Sequence, residues 1–304
     1  MDKTDMSLLM LLSTNSRLSY ADLAEKLNLS VNAVHKRIQL MVEAGVIRKF
    51  TAKVSLLASN AIVVFVSGNS QLGSFVDLPG KLRGQGSIYW LAVCGGKYLY
   101  IGAYLKSLNE AEDLISFLKR VVGIPEPSIG IMASAATPTP LMPALKPADI
   151  ELCDLNLKII RSLKDDSRKA VSDVASELGV SAKTVRRRLE RMQKNNLVEL
   201  GLEWYPDKSN DIITLVDVHL KPEVDLGVAS FQILRKYEPN TLFFWCFVNV
   251  ANTLTYTVWT NSMNELQTLR ESLEKEPGVV SVVPNILYTG YIFETWRDRL
   301  VQKS

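Results

Sequence analysis

At 304 residues, with 47% hydrophobic side chains, the chain is long enough for two or more domains with real cores. A net charge of +3 excludes a generally cationic protein, so any basic surface must be local. The three cysteines (Cys94, Cys153, Cys246) have neither CxxC nor His/Cys spacing, which argues against a zinc site and suits small buried residues in a reducing compartment.

Met1-Asp-Lys-Thr-Asp5 runs directly into an amphipathic segment, without the apolar core of a signal peptide. The longest apolar runs, such as Ala61–Ser67 and 242–250, are too short to span a bilayer. We therefore expect a soluble, cytoplasmic protein with no membrane partner. Met6–Leu12 carries Leu8, Leu9 and Leu12 at helical spacing. Ser19-Tyr-Ala-Asp22 has capping-box form and opens a short helix through Leu27. Asn28 and Leu29 make a tight turn, and Ser30 caps a third helix with Val34, Ile38, Met41 and Val42 inward. Gly45 ends it, and Val46–Val54 reads as a strand or small wing. Residues 1–56 thus have winged helix-turn-helix form.

Residues 60–133 read as strand, weak helix (75–82, disturbed by Pro79-Gly80), two strands meeting at Gly95-Gly96, a helix from Asn109 and a last strand near Ser128. That order is the ferredoxin-like βαββαβ unit, a four-stranded sheet with two helices on one face. Residues 134–149 are a Pro-rich, extended linker. Adding 151 then carries Ser16-Arg17 onto Ser167-Arg168, Ser30 onto Ser181, Val34 onto Val185, Arg37 onto Arg188 and Met41 onto Met192. Identities at caps and core positions without a gap indicate an internal repeat. Residues 150–206 are a second winged helix-turn-helix and 210–290 a second βαββαβ unit, in which Asn109-Glu110 maps onto Asn264-Glu265. Residues 291–304 form a short C-terminal helix or tail. The fold class is α+β.

The helix opened by Ser181 buries Val185, Leu189 and Met192 on one stripe and carries Lys183, Arg186, Arg187, Arg191 and Lys194 largely off it. A basic helix is often only a solvated face, but one inside a helix-turn-helix suits the major groove of double-stranded DNA. The candidate readers are Asn32, His35, Lys36 and Gln39 in the first copy, and Lys183, Thr184, Arg186, Arg187 and Arg191 in the second. Arg37 and Arg188 suit phosphate contacts or a local ion pair. Arg17 and Arg168 suit backbone phosphate or ordinary surface positions. The two helices are unequal, the second being far more basic.

The residues Asp5-Met-Ser-Leu-Leu, Ser16-Arg-Leu-Ser-Tyr-Ala-Asp-Leu-Ala24, Val34-His-Lys-Arg-Ile38 and Gly45-Val-Ile-Arg48, with their second-copy counterparts, resemble the Lrp/AsnC (feast/famine) regulators. The resemblance implies sequence-specific DNA binding without catalysis or cofactor, and a small amino-acid-like effector. It points, for that effector, to Gly95, Gly96 and Tyr98 and to Asn249 and Asn252. Leu99, where family members often carry an acidic residue, and the glycine-free turn 250–253 depart from the pattern. Ordinary members have one unit per chain and pair through their sheets, so the resemblance implies a fused pseudo-dimer, with sheets packed centrally, one helix-turn-helix on each flank and room for further homo-oligomerisation. Fused chains of this architecture also resemble sirohaem decarboxylases, but the only histidines are His35 and His219, with no evident His/Arg/Tyr cluster. A protein-binding adaptor with one degenerate DNA-binding unit is a third reading.

Overall fold

The computed structural model describes residues 1–132, 152–205 and 208–302; the linker 134–149 lies outside them. The first half runs α1 (Lys3–Thr14), α2 (Tyr20–Leu27), α3 (Val31–Glu43), β1 (Ile47–Val54), β2 (Ile62–Asn69), α4 (Leu78–Leu82), β3 (Ile88–Cys94), β4 (Tyr98–Leu105), α5 (Glu110–Phe117) and β5 (Ser128–Ile131). The second half repeats that order: α6 (Asp154–Leu163), α7 (Val171–Leu178), α8 (Ala182–Lys194), β6 (Val198–Trp204), β7 (Ile212–Leu220), α9 (Leu226–Lys236), β8 (Thr241–Cys246), β9 (Thr253–Thr260), α10 (Met263–Glu274) and β10 (Val279–Ile292). The chain divides into two bodies, one holding both helix-turn-helix units with residues 296–302, the other both sheet units.

In the helical body the caps are where the sequence places them. Ser19 and Asp22 bond reciprocally, and the Ser30 and Ser181 hydroxyls accept the Ala33 and Thr184 amides at 3.1 Å each. Asn28 and Gly179 take the left-handed conformation in the turns before α3 and α8 (φ 53° and 63°). Val34, Ile38 and Met41 are buried in the first copy, and Val185, Leu189 and Met192 in the second. Val42, expected inward, is exposed, because Met41 already completes the stripe three residues after Ile38.

The wings differ from expectation. Each copy contributes one strand to a shared antiparallel ribbon, in which β1 pairs with β6 from Phe50↔Leu202 to Val54↔Val198. The two helical units are therefore one body and not separate flanking pieces. Arg17 and Arg168, read as candidates for phosphate, face each other's copies instead. The Arg17 guanidinium donates to the Ser167 and Lys169 carbonyls, and that of Arg168 to the Ser16 and Leu18 carbonyls. Arg168 also lies over the Tyr20 ring (4.7 Å), and the Ser16 and Ser167 hydroxyls meet at 2.6 Å. The expected C-terminal helix is a single 3-10 turn, Asp298–Val301. Before it, buried Arg297 donates to the Val54 carbonyl and pairs with Glu199, gripping both strands of the ribbon.

In the sheet body the helices cover one face of each unit. Leu78, Leu82, Leu114 and Leu118 pack on Val64, Val66, Leu91 and Ile101, and Ile233, Leu234, Leu266 and Leu269 pack on Val216, Val218, Leu254 and Tyr256. The other faces pack on each other: Phe65 stacks on Trp245 at 4.9 Å and lies 5.9 Å from Phe247. The units are also joined edge to edge. Strand β10, expected to end near residue 287, continues to Ile292, pairing with β7 in its first part and with β3 in its last. The result is one eight-stranded sheet, β5-β2-β4-β3-β10-β7-β9-β8, whose end strands meet where Met132 bridges to Phe247. Meeting ends leave fewer unpaired backbone groups than two separate four-stranded sheets would.

Candidate nucleic-acid interface

Helix α8 is held by its buried stripe, and the spacing of that stripe decides what faces water. Lys183, Arg186, Arg187 and Arg191 are exposed, and among the described residues no carboxylate lies within ion-pair distance of any of them. Thr184 is half-buried, its hydroxyl 2.9 Å from that of the cap Ser181, so it supports the helix start more than it offers a free reader. On α3, Asn32, His35 and Lys36 are exposed, with the His35 ring edge-on to Tyr20 at 5.1 Å. Gln39 is tied to Glu43 at 2.8 Å, and the outer face is completed by Leu40, 52% exposed.

Of the two alternatives the sequence leaves open for Arg37 and Arg188, a phosphate contact or a local ion pair, Arg37 shows the second. Arg37 donates to Asp2 and Asp5, both at 2.7 Å; these hydrogen bonds, Asp5's first, hold its guanidinium above its ordinary pKa. It is an ion pair joining α3 to the start of α1, not a free phosphate ligand. At the positions 151 further on, Arg188 meets Cys153 Sγ and Asn156 Oδ1 at 3.0 Å each. Both partners are uncharged in their ordinary forms, so the Arg188 charge has no carboxylate counterpart there. Burial raises the Cys153 thiol, but the Asn156 amide and the Arg188 guanidinium outweigh it and bring the thiol below its ordinary pKa.

Residues 1–48 match the family model described as winged helix-turn-helix DNA-binding, and residues 154–193 match that of the AsnC-type helix-turn-helix domain. An uncharacterised HTH-type transcriptional regulator of Pyrococcus abyssi is 33% identical over 125 residues, 40% of this chain and 84% of that one. The HTH-type transcriptional regulator LysM of Sulfurisphaera tokodaii is 35% identical over 125 residues, 40% of this chain and 89% of that one. The chain belongs to the Lrp/AsnC family. The chain is also similar in fold to the crystal structure of the siroheme decarboxylase NirDL, with a TM-score of 0.60 at 9% identity, covering 99% of this chain and 98% of that one. At that identity the likeness is one of fold.

For an Lrp/AsnC effector, the structure separates the candidate residues. Gly95–Lys97 form a 3-10 turn with φ 64° at Gly96, and a Cβ at Gly95 would lie 3.3 Å from the Tyr288 hydroxyl. Tyr98 donates to Ser67 at 3.2 Å. Asn252 holds a left-handed turn (φ 54°). Asn249 is committed elsewhere: its amide accepts from the Ile131 N–H and donates to the Ile129 carbonyl, both at 2.7 Å, extending the sheet beside β5 as a strand would.

Sequence reading missed a polar cluster between the packed sheet faces. Asp217 on β7 accepts from the hydroxyls of Tyr100 and Thr255, each at 2.7 Å, and Asn285 donates to the Tyr100 oxygen at 2.7 Å. Burial pushes the Asp217 carboxyl up despite these bonds, and burial beside Asp217 pushes the Cys94 thiol up to about 12. His219, two residues along the same strand face, meets the Thr253 hydroxyl at 3.2 Å. The one signal was a lone carboxylate inside the apolar run 212–220. Among the described residues no helix is long and apolar enough to cross a membrane, and no His/Cys/Asp/Glu group could hold a metal ion.

Proposed function

We propose that the protein is a sequence-specific, duplex-DNA-binding transcription regulator in which α3 and α8 are two unequal recognition helices of a fused pseudo-dimer. The observation that carries this is the exposed cationic face of α8, Lys183, Arg186, Arg187 and Arg191, free of carboxylate partners among the described residues. The shared β1–β6 ribbon supports the pseudo-dimer, because it ties the two helical units into one body. Arg186→Glu with Arg187→Glu should lower affinity for duplex DNA by about two orders of magnitude, at roughly a kcal/mol or more per lost contact. His35→Ala with Lys36→Ala should cost about tenfold or less. Electrophoretic mobility shifts at fixed salt measure both, and equal losses would refute the inequality. The crevice beside the turn at Gly95, Gly96 and Tyr98 and, separately, that beside the turn at Asn252 are the two candidate places for an amino-acid-like effector.

A second reading, binding of a tetrapyrrole, is favoured by the Tyr100–Asp217–Asn285 cluster with His219 nearby, in a chain that shares the fold of a siroheme decarboxylase. Absorbance titration with an iron porphyrin distinguishes it, a saturable Soret shift lost in His219→Ala being its signature.

A further inference from the structure

The two reading helices differ in kind as well as in strength. At positions 151 residues apart, exposed Asn32 stands against Lys183, His35 against Arg186 and Leu40 against Arg191. The supports beneath them differ too. Asp2 and Asp5 hold Arg37 through two carboxylate contacts at 2.7 Å, while Cys153 and Asn156 hold Arg188 without a carboxylate. The Asp2 side chain is itself 53% exposed, so the first unit presents a carboxylate beside its reading helix, which a phosphate backbone repels. The face of α3 thus keeps Lys36 as its one cation without a carboxylate partner among the described residues, whereas α8 keeps four or more.

Charge and base reading are separable. Cations on phosphate give affinity that falls with salt, by about 0.9 in the slope of log K against log salt for each phosphate neutralised. Base edges are read by geometry. A side-chain amide matches the N6 and N7 edge of adenine, and a guanidinium the O6 and N7 edge of guanine. Two identical chains must present identical readers, and a single chain with two different helices is free of that constraint.

Resting on the reading of α3 and α8 as DNA readers, we propose that the chain recognises a non-palindromic duplex. Its guanine-bearing half lies under α8 and supplies nearly all the salt-sensitive affinity. Its adenine-bearing half lies under α3 and is read by the Asn32 amide, with little salt sensitivity because Asp2 and Asp5 hold the Arg37 charge.

The test uses the full chain, selecting bound sequences from a random duplex pool and then titrating the selected site across salt concentrations. The expected motif lacks a dyad, with guanine enriched in one half and adenine in the other. Asn32→Ala should relax preference at the adenine half alone, lowering affinity about fivefold to a hundredfold. Arg186→Ala should reduce the salt slope by about one and His35→Ala leave it unchanged. Asp2→Asn with Asp5→Asn should raise it by about one by releasing Arg37. Asparagine is itself a good N-cap and Asn156 already stands at the second copy's equivalent of Asp5, so this variant keeps α1. A palindromic motif, an Asn32→Ala variant with unchanged base preference, or a slope indifferent to Asp2 and Asp5 overturns the proposal and leaves DNA reading intact. Absence of any duplex binding at low salt overturns the proposed function together with it.

Discussion

Cys153 shows what one substitution between copies changes. It stands where the first copy has Asp2, at the start of α6, exposed and within 3.0 Å of the Arg188 guanidinium. Its thiol is held below the ordinary range, while burial pushes Cys94 up to about 12 and Cys246 up to about 11. The thiolate is the reactive form, so iodoacetamide near neutral pH should alkylate Cys153 well before the other two. Peptide mass mapping over a time course checks this, and equal rates at Cys153 and Cys94 would contradict it. The sequence showed three cysteines without a motif. It could not show that one of them sits against an arginine 35 residues away, because that proximity arises only when α8 packs on α6.

At the level of the elements, the legible features were local ones. Ser19, Ser30 and Ser181 cap the helices expected of them, since a cap and its amide are three residues apart and the pairing is written in the spacing. The partner of β1 lies some 150 residues along the chain, and no local pattern names it. Arg17 and Arg168 were ambiguous for the same reason, each finding its carbonyls in the other copy. Removing one such arginine leaves two carbonyls without a charged donor. Arg168→Ala should therefore lower the stability of the helical body by about 1–3 kcal/mol, read from urea unfolding. An exposed control on α8, Arg191→Ala, should cost less than about 0.5 kcal/mol. Similar losses from the two would mean that the reciprocal arginines contribute nothing special to the ribbon.

Across the whole molecule, the two βαββαβ units were readable from strand and helix order, and their mutual packing from two apolar faces in one chain. The edge-to-edge join was not, because strand length depends on a neighbour, and β10 runs on past residue 287 only since β3 is there to pair with. Nor was the Asp217 cluster, which needs Tyr100 from the other copy. That cluster sets a pH dependence. The Asp217 carboxyl titrates above its ordinary value in the folded protein, so the folded state holds its proton longer than the unfolded chain does. Stability from this group is highest below the ordinary carboxylate pKa of 3.8 and declines as pH rises through the window up to the raised folded value. Asp217→Asn should melt at a higher temperature than the parent at neutral pH, with the gap closing in acid. A gap that stays constant from pH 3 to 7 would rule out this role.

The 14-residue β10 has one more consequence, for behaviour at low copy number. A regulator assembled from two separate chains loses its dimer on dilution, so its occupancy of DNA falls roughly as the square of concentration once subunits part. Here a single strand stitches both sheets within one chain, and dilution cannot part them. Occupancy should then track concentration linearly down to a few molecules per cell.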